Sequence, residues 1–263
     1  MAKPEFKKDF TYANIGNVVG NMAYAKELKR KDGSVFGYDF LVNVKGYGGI
    51  NVKVPMMNKA QETMEKFPVA KKAKVRFNLV AVDAYFAQSG KTYLSMSTFN
   101  VGEEPKEGMT DRAVGRLAGE VAQMKVDAQG NITFLLVVYQ TDKEGKLVVS
   151  RKTGKPFEPK VIPVTVTDDE LKQQLKEENV RDGANISVGY AFTNLTDSSY
   201  DEFGFSTGTG KRVTRITMKK MLVHSVPEPE PEDELPEDEF QDPFAEAGQE
   251  IDPFADAFND FPF

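Results

Sequence analysis

Asn14-Ile-Gly-Asn-Val-Val-Gly-Asn-Met22 is echoed 99 positions later by Ala113-Val-Gly-Arg-Leu-Ala-Gly-Glu-Val121, so that Gly16 and Gly20 fall on Gly115 and Gly119. A repeat at that spacing means two copies of one unit, and both copies continue through the same order of elements. After the Gly-containing strand comes a polar turn, Lys31-Asp-Gly-Ser34 or Asp127-Ala-Gln-Gly-Asn131, whose glycines permit positive φ. A second strand follows, Tyr38 to Val44 with alternate apolar residues in the first copy and Ile132 to Tyr139, apolar on both faces, in the second. The third strand turns Ile50, Val52 and Val54 inward and Asn51 and Lys53 outward; its counterpart is Lys160 to Val166.

One helical stretch follows in each copy, Asn58 to Phe67 and Asp168 to Asn179, each opened by a residue of capping type. Thr167-Asp-Asp-Glu170 fits a capping box, and Leu171 and Leu175 share a helix face. Two long strands close each copy: Lys74 to Phe86 with Lys91 to Val101, and Asn185 to Asn194 with Val213 to Val226. Strand, strand, strand, helix, strand, strand is the order of a five-stranded Greek-key OB barrel, whose first strand is bent by glycine at a corner. The expected fold is mainly β: two tandem OB-fold barrels over residues 1–110 and 111–226, then a disordered acidic tail over 227–263. Two other antiparallel domains, or one sandwich, fit the same pattern of strands.

The tail is set apart by charge. From Pro227 to Phe263 there are 14 Asp or Glu and no Lys or Arg, leaving 34 basic against 26 acidic residues before it, a surplus of eight. A basic body favours polyanionic partners. Pro227-Glu-Pro-Glu-Pro-Glu-Asp-Glu-Leu-Pro236 cannot hold a helix or a ladder and offers nothing to bury. As a flexible coil such a segment reaches on the order of 30 Å. Six Phe are nevertheless set in it, two within the near-copies Asp242-Pro-Phe-Ala-Glu-Ala247 and Asp252-Pro-Phe-Ala-Asp-Ala257, which read as linear binding motifs.

Single-strand binders need cations for phosphates and π-faces for bases. In the first copy Tyr24, Lys26, Lys29, Arg30, Lys31 and Phe36 interleave both around the first turn, although a Lys-rich edge that deters aggregation has the same composition. Tyr47 lies between glycines that leave its ring exposed, Lys53 points outward, and Tyr85, Lys91 and Tyr93 flank the turn at Gln88. In the second copy the candidates sit in longer connections: Lys146, Arg151, Lys152, Lys155 and Phe157 before the third strand, and Tyr200, Phe203, Lys211 and Arg212 before the last.

Without cysteine there is no disulfide, thiol nucleophile or Cys-ligated metal, and a single His builds no multi-histidine centre. Ser89-Gly-Lys-Thr92 mimics the end of a phosphate-binding loop, but Tyr85 stands where its first Gly is required and the flanks read as a hairpin. His224 reads as a packed or edge residue. The chain is therefore expected to be no enzyme, to need no metal or cofactor, and to have no membrane span, its longest apolar run being Phe134 to Tyr139. A soluble cytoplasmic protein is expected.

The chain ends Asp260-Phe261-Pro262-Phe263. This organisation resembles bacterial and phage single-stranded DNA-binding proteins, which close on an acidic tail with acids, an apolar residue, Pro and Phe at its tip. The resemblance implies that OB barrels bind single strands through aromatics and basic residues. It also implies that Asp260, Phe261, Pro262 and Phe263 dock replication, recombination and repair proteins. Bacterial members usually have one barrel per chain, form tetramers and use Trp, which is absent here; two barrels point to a phage-type relative acting as monomer or homodimer. A recruitment adaptor with Asp-Pro-Phe motifs and an RNA-binding protein are the alternative readings.

Overall fold

The computed structural model describes residues 10–228 apart from 90, 128, 143–144 and 197–209. Among the described residues ten strands and two α-helices follow one another as the repeat requires. In the first barrel β1 (Ala13–Lys29) pairs with β2 (Val35–Val44), β2 with β3 (Gly48–Val54), β3 in parallel with β5 (Thr92–Ser97), β5 with β4 (Lys74–Phe86), and β4 with β1 again. That closed cycle is the OB topology. The second barrel repeats it with β6 (Arg112–Val126), β7 (Ile132–Val138), β8 (Lys160–Val166), β10 (Arg212–Ser225) and β9 (Asn185–Thr196). Helices α1 (Met57–Lys66) and α2 (Asp169–Glu177) follow the third strand of each barrel.

Alternation sends Phe40, Val42, Ile50, Val52, Phe77 and Val82 into the first barrel and Leu117, Phe134, Leu136, Ile162 and Ile186 into the second. The buried side chains form one continuous core, each fully buried Val, Ile, Leu or Phe contributing about 1.5–3 kcal/mol. The apolar run of β7 is resolved the same way: Phe134 and Leu136 turn inward, while Leu135 and Val137 are only half-buried.

The first strands are long because they serve two barrels. Residues Ala13 to Val19 of β1 pair antiparallel with Arg112 to Ala118 of β6, with Gly16 opposite Gly115, and the same strand then bends beyond Met22 to run along β2. The two glycine pairs therefore have different causes. A Cβ on Gly20 would lie 2.4 Å from Asn43 O and one on Gly119 2.5 Å from Val137 O, which is the close approach of a coiled first strand to its neighbour. Gly16 instead admits Tyr190, whose Oη would stand 2.5 Å from the added carbon, and Gly115 admits both Tyr190, at 2.6 Å, and the paired strand β1, whose Ile15 O would stand at 2.4 Å. They belong to the seam between barrels and not to a barrel corner.

Of the two helix starts, the one at Asp168 is as expected and the one at Asn58 is not. The N-cap of α1 is Met56, which makes no side-chain cap bond, so Asn58 lies inside the helix. The cap of α2 is Asp168, whose Oδ1 accepts from Leu171 N at 3.1 Å, and not Thr167 of the expected box. The last strand of the first copy stops at Ser97, short of Val101.

Candidate nucleic-acid interface

An OB barrel presents its outward sheet face, around the second and third strands, as a ligand surface. Here cross-strand register lays out rows on that face. Lys26 lies opposite Asp39, Asp39 opposite Lys53, and Lys53 opposite Ser97. The next row holds Tyr24, Leu41 and Asn51, and further along β4 and β5 Tyr85 lies opposite Tyr93. Their rings are 6.4 Å apart and tilted by 32°. Tyr24, Tyr85 and Tyr93 are 57%, 66% and 56% exposed, large apolar faces held open on rigid strands.

Polar groups between the rings are fixed. Lys53 Nζ donates to Ser95 Oγ at 3.3 Å, and Asn51 Nδ2 donates to Asp39 Oδ2 at 3.1 Å. The other carboxylate oxygen of Asp39 is buried without a hydrogen-bond partner. These residues line a cleft of about 390 Å³ together with Tyr85, Tyr93 and, from the second barrel, Asn194 and Thr214. Asn194 holds that edge in place: its N–H donates to Tyr47 O at 2.8 Å and its Nδ2 to Gly49 O at 2.7 Å. Arg212 reaches over β3, its Nη1 lying 3.8 Å from where a Cβ on Gly49 would stand.

The first connection is shorter than the sequence suggested. Tyr24, Lys26 and Lys29 are strand residues of β1, and the turn itself is Arg30 to Ser34. Asp32 Oδ1 accepts from Ser34 N at 2.9 Å and from Ser34 Oγ at 2.6 Å. Those bonds hold its carboxyl below the ordinary carboxylate range. Arg30 lies 5.4 Å over the Phe36 ring and Lys29 pairs with Glu27 at 3.1 Å, which offsets part of the hairpin's charge. Lys31 and Lys91 are exposed on their turns.

Tyr47 departs from expectation. Its ring is half-buried against the core and its carbonyl receives Asn194, so it joins the barrels and does not offer a free face. In the second barrel the connection from Tyr139 to Lys160 is a hairpin arm, with bridges Thr141 to Leu147 and Val149 to Pro156. It carries Lys146, Arg151, Lys152, Lys155 and Phe157 at its surface, Phe157 being 43% exposed. Arg212 opens β10 and Lys211 precedes it, both exposed. Tyr200 and Phe203, and the tip Asp260, Phe261, Pro262 and Phe263, lie outside the described residues.

Asp39 was legible as an outward position of β2 but carried no charge signal pointing to ligand. Asn194 and Thr214 gave none, because they enter the first barrel's cleft from the other copy. Ser89 and Lys91 do sit in a β4–β5 hairpin closed by Ala87 N to Lys91 O at 2.8 Å. His224 packs edge-on to Phe10 with its Nε2 2.8 Å from Ser187 Oγ; burial, and secondarily Arg116, push its pKa below the ordinary value. Among the described residues no group of three or more His, Asp or Glu is placed to hold a metal, and no helix is long and apolar enough to cross a membrane.

No protein-family model matches the sequence, and no curated sequence does. Among solved structures, the chain is similar to the wild-type single-stranded DNA-binding protein of Thermus aquaticus, at 11% identity and a TM-score of 0.49, over 84% of this chain and 97% of that one. Over 45% of this chain it is similar to the mitochondrial single-stranded DNA-binding protein of S. cerevisiae, covering all of that chain at 13% identity and a TM-score of 0.29. A Plasmodium falciparum single-stranded DNA-binding protein in complex with single-stranded DNA matches over 43% of this chain and 94% of its own, at 16% identity and a TM-score of 0.28.

Proposed function

We propose that the chain is a non-enzymatic single-stranded DNA-binding protein that covers exposed strands during replication, recombination and repair and recruits partner proteins through its acidic tip. The observation that carries the reading is the outward face of the first barrel, where Tyr24, Tyr85 and Tyr93 are exposed alongside Lys26 and Lys53. Every base has a π-face, and each base stacked on an aromatic ring is worth about 1–3 kcal/mol without regard to sequence. Phosphates follow the lysines. By its organisation the protein acts in the cytoplasm of a bacterial host and is phage-encoded, as a monomer or homodimer.

Labelled oligo-dT and oligo-U of about 30 nucleotides, titrated by fluorescence anisotropy between 50 and 300 mM salt, test it. Binding to oligo-dT is expected to weaken by orders of magnitude as salt rises, because each phosphate neutralised releases counterions. A preference for oligo-U would make the protein an RNA binder, and binding to neither would leave the adaptor reading.

A further inference from the structure

The barrels repeat each other in topology but not in surface. Gly16 lies opposite Val80 in the first barrel and Gly115 opposite Tyr190 in the second, which fixes the correspondence of β4 with β9. Stepping along both hairpins, the pair Tyr85–Tyr93 corresponds to Leu195–Val213, and the neighbours Thr92 and Ser95 correspond to Arg212 and Arg215. Two exposed rings are thus replaced by aliphatic side chains, and two hydroxyls by guanidinium groups. Arg215 has Asp127 within electrostatic reach. Arg212 instead turns toward β3 of the first barrel, beside the Asn194 bonds that pin the β9–β10 edge onto Tyr47 and Gly49.

Resting on the single-strand reading above, we infer that the two barrels divide the work at one composite groove: the first barrel's sheet stacks bases on Tyr85 and Tyr93, and Arg212 at the edge of the second grips the phosphate backbone. Aliphatic Leu195 and Val213 give no π-face, so the second sheet adds little that depends on a base. A guanidinium binds phosphate by a fork of donors and does not need a base at all. The strand therefore passes from an aromatic platform, which lines the cleft closed by Thr214 and Asn194, to a cationic rail at Arg212, whose Nη1 reaches over Gly49 beside that cleft.

Two 30-unit ligands separate these roles: oligo-dT, and an abasic strand of the same length with an intact phosphate backbone. Y85L/Y93V, which gives the first barrel the second barrel's pair, is expected to weaken oligo-dT tenfold or more and to leave the abasic strand within twofold, while Y85F/Y93F restores oligo-dT. R212A is expected to weaken both ligands by the same factor and to lower the salt slope by about one. L195A/V213A should leave both within twofold. Tyr85, Tyr93, Leu195 and Arg212 are exposed and Val213 is half-buried, and thermal unfolding of each variant verifies the fold.

The division is overturned if L195A/V213A, or Y200A/F203A, costs oligo-dT as much as Y85L/Y93V does, or if R212A spares the abasic strand. Failure of the unaltered protein to bind oligo-dT would overturn the single-strand reading itself, a different outcome from binding that the variants do not divide.

Discussion

Tyr190 is 2% exposed, its Oη has no hydrogen-bond partner, and burial holds its pKa well above the ordinary tyrosine value. A buried hydroxyl without a partner costs about 1–3 kcal/mol, so Tyr190→Phe is expected to stabilise the protein by about 1 kcal/mol. For a domain of this size that raises Tm by roughly 2–4 °C. The same hydroxyl is what bars a side chain at Gly16. Gly16→Ala puts its Cβ 2.5 Å from Oη with the next atoms, Val114 O and Val80 O, at 3.2 Å, and overpacking of this kind costs about 1–3 kcal/mol. In the Tyr190→Phe background that cost should shrink by about 1 kcal/mol or more, a coupling read from a double-mutant cycle.

Gly115→Ala is the control. Its Cβ meets Ile15 O at 2.4 Å and Gly16 Cα at 2.7 Å as well as Oη, and paired backbone cannot step aside. Tyr190→Phe should therefore rescue Gly16→Ala and leave Gly115→Ala unrelieved. Differential scanning calorimetry of the wild type, the three single variants and the two doubles decides it. A lower Tm for Tyr190→Phe, or equal rescue at both glycines, would refute the packing argument.

Charge reversal of Lys29, Arg30 and Lys31 to Glu should weaken oligo-dT binding more than the same change at Lys71, Lys72 and Lys74, on the short turn after α1 and the start of β4; equal losses by anisotropy would mean the strand does not cross the β1–β2 hairpin. Asp39→Asn removes a negative charge from beside Lys53 and is expected to tighten oligo-dT binding at 50 mM salt, with little change at 300 mM; weaker binding would give the carboxylate a part in holding the strand. Deleting Pro262 and Phe263 leaves all fourteen tail acids, so DNA affinity should hold while capture of purified replication proteins falls tenfold or more; unchanged capture would point to Phe244 and Phe254 instead. Because His224 has a lowered pKa, the unfolded chain takes its proton first. Its contribution is full above pH about 6.5 and is lost as pH falls below that. His224→Gln should lose less Tm than the wild type between pH 7 and 5, and an equal loss would show that His224 is not the group responsible.

Within a barrel, the alternation of Phe40, Val42, Ile50 and Val52 was enough to place Lys53 outward, and the 99-residue repeat revealed the second barrel. Tyr85 and Tyr93 were legible because exposed rings beside a tight turn have few other uses. What one strand's periodicity cannot show is contact between copies. Tyr47, flanked by glycines, looks free until Asn194, 147 positions later, bonds to it. Gly16 and Gly115 look like bends until the sheet that joins them is seen. The cap of α1 misled for a simpler reason: Asn58 has the right chemistry, but the chain enters the helix at Met56 in extended conformation, without a side-chain cap bond.

The antiparallel run of β1 along β6 gives the paired barrels a property that an association of separate chains lacks. Two identical subunits must carry every change twice, and dilution pulls them apart. Covalently linked halves keep their spacing at any concentration. One half can exchange tyrosines for leucine and valine while the other keeps them, so a single mutation has a single address. A chain that holds both barrels can specialise its halves with no means of telling them apart.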